Sequence, residues 1–400
     1  MNEEFGMKKL AIVALATAAL ALSACGGSSE GGSSDGTVRI GVVGPETGPA
    51  PQYYTDLIRP AELAVAQLAE KYDLKVELVE VDDQGTPDGA SRAVQKLLNE
   101  ENVDAILGPP LSGNALQVAD VIQRTGRPWL SPAIAPEIMD ESLEQNWLFR
   151  TNYNSADLSE VVASLLFADD AKVGVVHSAD AYGQSGVDSV KAEAKKLGKT
   201  VAAVEAIQPG ATDFSAGISR LKAAGVDSVF LAITAGADTS TVTKTIAQQG
   251  LKPKRVVTNA TIMADFAELA DPGQWENLVF VDPRDLVGEN LATIAKDYQA
   301  KFDEAPILPT NVYSVMAAID AYLAGVAEAG DAGDYDAVRK AMEGIASVSV
   351  GADTIDAPFA AGDHELYEAE DPSAWNVFGF NDKGDLEMRG NLEECLSGTC

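Results

Sequence analysis

The sequence predicts an α/β protein made of two doubly wound, Rossmann-like lobes. Two observations carry this. Short apolar runs of strand length alternate with longer runs of helical period, a rhythm that implies parallel sheet covered by helices on both faces. The rhythm then restarts near the middle, so the pattern is written twice. At roughly 100–200 residues per domain, 400 residues with 46% hydrophobic content supply more than one core.

The elements follow in order. Thr37 to Val43 reads as a buried strand, broken by the Gly44 to Gly48 stretch. Pro60 to Tyr72 has helical spacing, with Leu63, Ala64, Leu68 and Ala69 on one side. Leu74 to Val81 alternates as a strand, Ala90 to Glu100 is helical, and Val103 to Leu107 is a short apolar strand. Asn114 to Arg124 is a helix, and Pro128 to Leu130 begins the next strand. The second half opens with strand Lys172 to Val176 and helix Ser185 to Leu197. Strand Val201 to Ile207, helix Phe214 to Ala224 and strand Ser228 to Ile233 come next. Helix Thr239 to Gln249 and strands Arg255 to Thr258 and Leu278 to Val281 complete the sheet. Three helical stretches follow: Asn290 to Phe302, Asn311 to Ala329 and Tyr335 to Ala346. Ligands of such sheets bind beyond the carboxyl ends of the strands, so two facing lobes would line one cleft.

Composition narrows the function. The chain has 29 Lys plus Arg against 61 Asp plus Glu, a net charge of −32. So acidic a chain repels phosphates, which excludes nucleic acid as a partner. Two His and three Cys are too few for a multi-zinc protein. There is no HExxH, GxSxG or Walker loop, and Gly41, Gly44 and Gly48 do not have dinucleotide-binding spacing. His177 ends a strand; it reads as a polar residue at a cleft rim, with a general base as the alternative. Asp82-Asp83 reads as a solvated turn rather than an acid–base pair. No cofactor or metal is expected, and no catalytic residue is assigned.

The N-terminus reads as an address. Lys8 and Lys9 precede an apolar run, Leu10 to Leu22, of signal-peptide length and too short to span a bilayer at about 20 residues. It ends in Leu22-Ser23-Ala24-Cys25-Gly26, which resembles the bacterial lipobox, whose Cys is diacylated and becomes residue one. An ordinary secretory signal with an incidental Cys is the alternative. Glu3 and Glu4 stand where a signal needs positive charge, so translation is expected to begin at Met7. The Gly/Ser-rich stretch after Cys25 buries nothing and reads as a flexible tether. At the other end, an exported chain meets an oxidising setting, so Cys395 and Cys400 are expected to pair. Their small loop adds little to global stability.

From Thr37 to about Leu386 the chain resembles the substrate-binding lipoproteins of branched-chain-amino-acid-type ABC importers, which have the type 1 periplasmic binding fold. The likeness rests on short segments in order. These are Arg39-Ile40-Gly41-Val42-Val43-Gly44-Pro45-Glu46-Thr47-Gly48, Val79-Glu80-Val81-Asp82-Asp83-Gln84-Gly85 and Ile106-Leu107-Gly108-Pro109. Leu130-Ser131-Pro132-Ala133, Leu148-Phe149-Arg150-Thr151, Tyr182-Gly183 and Thr212-Asp213-Phe214-Ser215 continue it. The resemblance implies two lobes joined by a three-crossing hinge. The implied division is signal 1–24, tether 25–36, lobe one 37–151 with 283–350, and lobe two 152–282 with 351–400.

The resemblance also implies a site. A hydroxyl and backbone groups after the third and fourth strands would hold a ligand carboxylate, here Ser112 with Gly113 and Asn114, and Ser131 with Ala133. Such groups bind a carboxylate without a buried counter-charge. A helix cap is the alternative role for Ser112. Tyr182 and Thr234 would reach in from lobe two, and Tyr53, beside Gln52 and Tyr54, would lid the cleft. One departure stands out. The family's amino-acid binders place an acid after the strand Arg255 to Thr258 to meet the ligand ammonium. Here that place holds Asn259, which puts a branched-chain amino acid in doubt and leaves an amide, keto acid, aromatic acid or peptide-like ligand open. A second departure is Ala357 to Ala374, longer and more acidic than the family leads one to expect. The implied function is solute capture by hinge closure and delivery to the permease subunits of an importer. The expected partners are a small-molecule ligand, that permease, and the membrane through lipid on Cys25; the body is expected to be monomeric. A sensing module of the same fold and an exported enzyme are the rival readings.

Overall fold

The computed structural model describes residues 36–48, 50–139, 146–259, 277–306, 309–367, 372–381 and 383–398. The first sheet holds β1 (Thr37–Gly44), β2 (Lys75–Asp82), β3 (Ala105–Leu107), β4 (Trp129–Ser131) and β5 (Leu148–Arg150). Its order is β2-β1-β3-β4-β5, and all its neighbours are parallel. Parallel neighbours need crossover connections. Here these include α1 (Gln52–Leu68), α2 (Pro87–Asn99) and α3 (Ser112–Thr125). Alternation along the strands assigns the faces. Ile40, Val42, Leu107, Leu130 and Phe149 bury with Leu57 and Ala61 of α1, whereas Val43, Ile106, Trp129 and Leu148 bury with Val94, Leu97 and Val118 of α2 and α3. This is the doubly wound arrangement.

Helix α1 begins at Gln52 rather than at Pro60, which lies inside it. A proline in a helix interior costs about 3 kcal/mol. Tyr54, Leu57 and Ile58, all buried on the preceding turns, gain about 1.5–3 kcal/mol each. Burial outweighs the proline, so the helix runs through it. α2 begins with its own signal: the Thr86 hydroxyl accepts from the Gly89 N–H, and Pro87 occupies the first helical turn.

The second lobe starts with α4 (Ser155–Leu166), a helix absent from the sequence reading. Asn154 caps it by accepting from the N–H groups of Ala156 and Asp157. Next come β6 (Val173–Ser178), α5 (Ala181–Lys196), β7 (Ala203–Ile207), α6 (Ser215–Ala223), β8 (Ser228–Ala232), α7 (Gly236–Gln248), β9 (Arg255–Asn259) and β10 (Leu278–Asp282). The chain then returns to lobe one with α8 (Glu289–Phe302), α9 (Pro309–Ala329) and α10 (Tyr335–Glu343). α9 packs along α1 and is buried on nearly all sides, so its long apolar run is core. A hairpin of β11 (Ser347–Val350) and β12 (Asp353–Asp356) packs on α9. Finally β13 (Asn376–Phe380), β14 (Leu386–Asn391) and α11 (Leu392–Leu396) join lobe two. Its sheet runs β14-β13-β10-β9-β8-β6-β7, with β13 and β14 antiparallel at one edge.

The lobe boundary expected between residues 350 and 351 falls inside the β11–β12 hairpin. Four paired residues from Ser347↔Asp356 to Val350↔Asp353 tie both strands together, so the hairpin stays whole with lobe one. The segment after it, longer than the family led us to expect, lies beside the first crossing. There the Arg150 N–H donates to the His364 carbonyl and the Leu366 N–H donates to the Arg150 carbonyl. The third passage to lobe two therefore comes after Leu366.

Two buried arginines fasten the hinge. Arg150 is 0% exposed; its Nε lies 2.9 and 2.7 Å from the two Glu365 carboxylate oxygens, and its Nη1 donates to the carbonyls of Ala133 (2.7 Å) and Ala135 (3.1 Å). Arg284 grips Asp282 through Nε and Nη2, both at 2.6 Å, and donates to the Thr310 carbonyl (3.0 Å) and the Ser314 hydroxyl (2.5 Å). Its guanidinium also lies over the rings of Tyr153 (5.6 Å) and Tyr367 (5.1 Å). Burial opposes its charge, but the Asp282 carboxylate prevails and holds Arg284 more firmly protonated than usual.

Candidate ligand site between the lobes

A cavity lies where the lobes face each other, with about 50 Å³ open to water-sized groups as the lobes stand. Lobe one lines it with Tyr53, Pro110, Leu111, Ser112, Pro132 and Ile134, and lobe two with Tyr182 and Thr234. Asn152 of the first crossing and Asn311 at the start of α9 complete it. Among the described residues no charged side chain lines this cavity.

Gly108 makes the lobe-one wall. It follows β3 with φ +89°, and a Cβ there would stand 2.2 Å from the Val43 carbonyl oxygen, so no side chain fits. Its own carbonyl accepts from the Trp129 indole N–H at 2.6 Å. The turn it permits delivers Leu111 and Ser112 to the start of α3. The N-cap is Leu111, without a side-chain cap, so Ser112 is the first helical residue and does not play the capping role held open for it. Ser112 is 5% exposed, and its hydroxyl has no hydrogen-bond partner among the described residues. The Asn114 and Ala115 N–H groups already donate to the Leu111 carbonyl. This leaves the Ser112 hydroxyl and the first amide groups of a 14-residue helix at the cavity wall, a favourable place for an anion.

Three other expected contacts stand behind that wall. The Asn114 side chain donates to the Asp83 carboxylate at 2.8 Å, and both residues are buried. Asp83 also accepts from the Gly85 N–H at 2.8 Å. Burial pushes the Asp83 carboxyl above its ordinary value, against the pull of these two hydrogen bonds. The solvated turn expected of Asp82-Asp83 is thus half right. Asp82 accepts from the Thr47 hydroxyl and the Gln84 N–H near the surface, whereas Asp83 is a buried strut beneath α3. Ser131 is 0% exposed and accepts from the Ala133 N–H at 3.3 Å; the Ala133 carbonyl is taken by Arg150. Their neighbours Pro132 and Ile134 reach the cavity instead. Gly113 faces lobe two: a Cβ there would sit 3.7 Å from that of Ala181.

Lobe two is set by Asp180, which caps α5 by accepting from the Gly183 N–H at 2.8 Å. A Cβ on Gly183 would lie 2.1 Å from the Ser178 carbonyl oxygen, so glycine is required and Tyr182 is aimed by it. Asp180 also accepts from the Thr234 hydroxyl at 2.6 Å, and the Thr234 N–H donates to the Ser178 hydroxyl at 3.0 Å. The Tyr53 hydroxyl crosses the cleft and donates to the Thr234 carbonyl at 2.7 Å. Asn259 ends β9 in register with Val281, and the structure describes its backbone. Cys25, Cys400 and the tether up to residue 35 lie outside the described residues. Cys395 is 8% exposed and stands in a disulfide. His177 is 7% exposed, with Nδ1 2.9 Å from the Ser178 carbonyl oxygen, and does not line the cavity.

Sequence reading missed Asn152 and Asn311. A signal for the first was present, because the crossing motif Leu148 to Thr151 stops one residue short of it. Nothing local marks Asn311, since α9 is chosen for burial along its length.

A family model described as periplasmic binding protein matches residues 37–370. The chain is 27% identical over 312 residues to a Leu/Ile/Val-binding protein homolog from Brucella melitensis, covering 76% of this chain and 83% of that one. A type 1 periplasmic binding protein from Bordetella pertussis superposes with a TM-score of 0.76 at 26% identity, over 88% of this chain and 100% of that one. A solute-binding protein of an ABC transporter from R. palustris, solved in complex with benzoate, superposes with a TM-score of 0.73 at 18% identity, over 89% and 96%. With two α/β lobes, a cleft between them and a family match over residues 37–370, this chain belongs to the periplasmic binding protein family.

Proposed function

We propose that the chain is a lipid-anchored, extracytoplasmic solute-binding protein that closes on a small carboxylate and presents it to an ABC importer. The observation that carries this is the free start of α3, with the Ser112 hydroxyl, at the wall of a cavity without a charged side chain among the described residues. An anion is satisfied there by dipoles and a hydroxyl. Pro110, Leu111, Pro132 and Ile134 suit an apolar body, and Tyr53 and Tyr182 suit a flat or aliphatic one. The absence of a carboxylate from that wall among the described residues, together with Asn259 in the sequence, favours an acid without an ammonium group over a branched-chain amino acid. The relatives support both classes: one similar protein is named for Leu/Ile/Val binding, and one neighbour in structure holds benzoate.

Closure follows from geometry. A ligand touching both lobes adds contacts present only in the closed form and so shifts the population towards it. Membership of a family of exported proteins supports the reading of residues 1–24 as a signal and Cys25 as the lipid anchor. Pairing of Cys395 with Cys400 would then close the C-terminal end in an oxidising compartment.

Thermal-shift titration with benzoate, pentanoate, leucine and leucinamide tests the reading. Stabilisation grows as RT ln(1 + [L]/Kd), about 2.7 kcal/mol at a hundred times Kd. We expect concentration-dependent shifts with the plain acids, lost in Ser112→Ala. Shifts with leucinamide but not with the acids would reject the carboxylate assignment. Retention of Cys25→Ser protein in the membrane fraction would reject the anchor.

A further inference from the structure

We infer that Asn152, held by Arg284, is the specificity residue at the hinge end of the cavity and selects ligands that carry an oxygen acceptor there, a hydroxyl or a carbonyl. The inference rests on the reading of this cavity as the ligand site.

The argument starts from what Arg284 can do. A guanidinium donates hydrogen bonds and accepts none. Arg284 Nη2 donates to Asn152 Oδ1 at 3.4 Å, and the Tyr153 backbone N–H donates to the same oxygen at 3.0 Å. Two donors fix the amide oxygen on the hinge side. The amide group therefore has one orientation, and its Nδ2 points away from Arg284. Nδ2 has no hydrogen-bond partner among the described residues, while Asn152 is 2% exposed and lines the cavity. The nitrogen therefore keeps a free donor at the cavity, and a ligand oxygen there would complete its hydrogen bonding.

Arg284 cannot easily release this orientation. Its other N–H groups are held by Asp282, Thr310 and Ser314, so it is fixed from three directions. Asn311 is a second amide on the same cavity, 6% exposed and also without a side-chain partner among the described residues. Its orientation is free, so it can accept from a ligand hydroxyl or donate to a ligand carbonyl. With the carboxylate at Ser112 and no charged side chain on the cavity wall among the described residues, the second ligand group is an uncharged oxygen. The ligand class is a hydroxy- or oxo-carboxylic acid with an apolar body.

Isothermal titration of the purified chain with two matched pairs tests this: benzoate against 4-hydroxybenzoate, and pentanoate against 4-oxopentanoate. In the wild type the oxygen-bearing member of at least one pair is expected to bind about ten-fold tighter. In Asn152→Ala that ratio collapses towards one; reading a ratio cancels any general loosening of the variant. The wild-type ratio is a test in itself should the variant fold poorly. Equal affinities within both pairs, or a ratio that survives Asn152→Ala, overturn the inference while leaving the cavity as the ligand site. Saturable binding of none of the four acids, or binding that Ser112→Ala does not weaken, overturns the cavity reading and the inference with it.

Discussion

The hinge and the cavity are neighbours, yet they use polarity in opposite ways. The hinge holds two ion pairs, the buried Arg284 with Asp282 and the buried Arg150 with the part-buried Glu365. The cavity wall has hydroxyls, amides and a helix terminus, and no charged side chain among the described residues. The difference has a physical reason. A buried pair binds firmly only where both ions keep fixed partners, and removing one leaves the other stranded. Such a contact suits a junction that must hold several chain segments together. It suits a ligand site poorly, because a buried charge facing an empty cavity would lose its hydration without compensation. Neutral dipoles tolerate both the filled and the empty state. Asn152 belongs to both regions, its oxygen bound to the hinge and its nitrogen turned to the cavity.

The largest break in this comparison is Arg284→Met. It strands the Asp282 carboxylate at 0% exposure, and we expect a loss of about 3–5 kcal/mol in chemical denaturation. Adding Asp282→Asn should recover part of that loss, because no unpaired charge remains. A double variant as unstable as Arg284→Met alone would show that the pair is not the hinge's main fastening.

A pH titration sharpens what incomplete pairing costs. Asp104, at the start of β3 and 0% exposed, is pushed up to about 6 by burial, against the Arg39 N–H and the nearby Arg127 and Arg39 charges. Its folded-state pKa is raised, so the native state holds this proton more tightly than the unfolded chain does. The contribution of Asp104 to stability is therefore greatest below about pH 4, falls as pH rises to about 6, and is flat above. Two units correspond to about 3 kcal/mol. Asp104→Asn should abolish that fall and leave the protein more stable near pH 7. Unfolding midpoints measured from about pH 3.5 to about 7 check this directly.

Behind the cavity, Asp83→Ala leaves the buried Asn114 amide without its acceptor. We expect about 1–3 kcal/mol of destabilisation. The ligand-induced thermal shift should also shrink, because the start of α3 loses its strut. An unchanged shift would separate the strut from the site.

The smallest effect is Tyr53→Phe, which removes the hydroxyl donating to the Thr234 carbonyl across the cleft. A neutral hydrogen bond contributes about 1 kcal/mol, several-fold in the ratio of closed to open forms. Distances between spin labels on the two lobes should shift towards the open value without loss of folding.

Much of this was written locally. The alternation of strands and helices and the doubly wound lobes follow from periodicity, because each element must bury one face to exist at all. The turn at Gly108 and the Tyr182-Gly183 pair were legible as motifs, and the structure supplies the reason: no Cβ fits at either glycine. Local pattern failed where burial outweighed it. Pro60 lies inside α1 because the buried turns before it gain more than the proline costs. The β11–β12 hairpin lies on lobe one because its ladder cannot be divided between lobes. Asn114 and Ser131 carry the right chemistry for a ligand, and only packing shows them facing Asp83 and the Ala133 N–H instead. The sequence by itself determined the fold class, the acidic surface and the two-lobed plan, since those depend on spacing and composition. The tertiary structure alone decided which polar groups reach the cavity. That choice depends on residues far apart in the chain: Arg284 fixes the face that Asn152, 132 positions away, presents to the cavity.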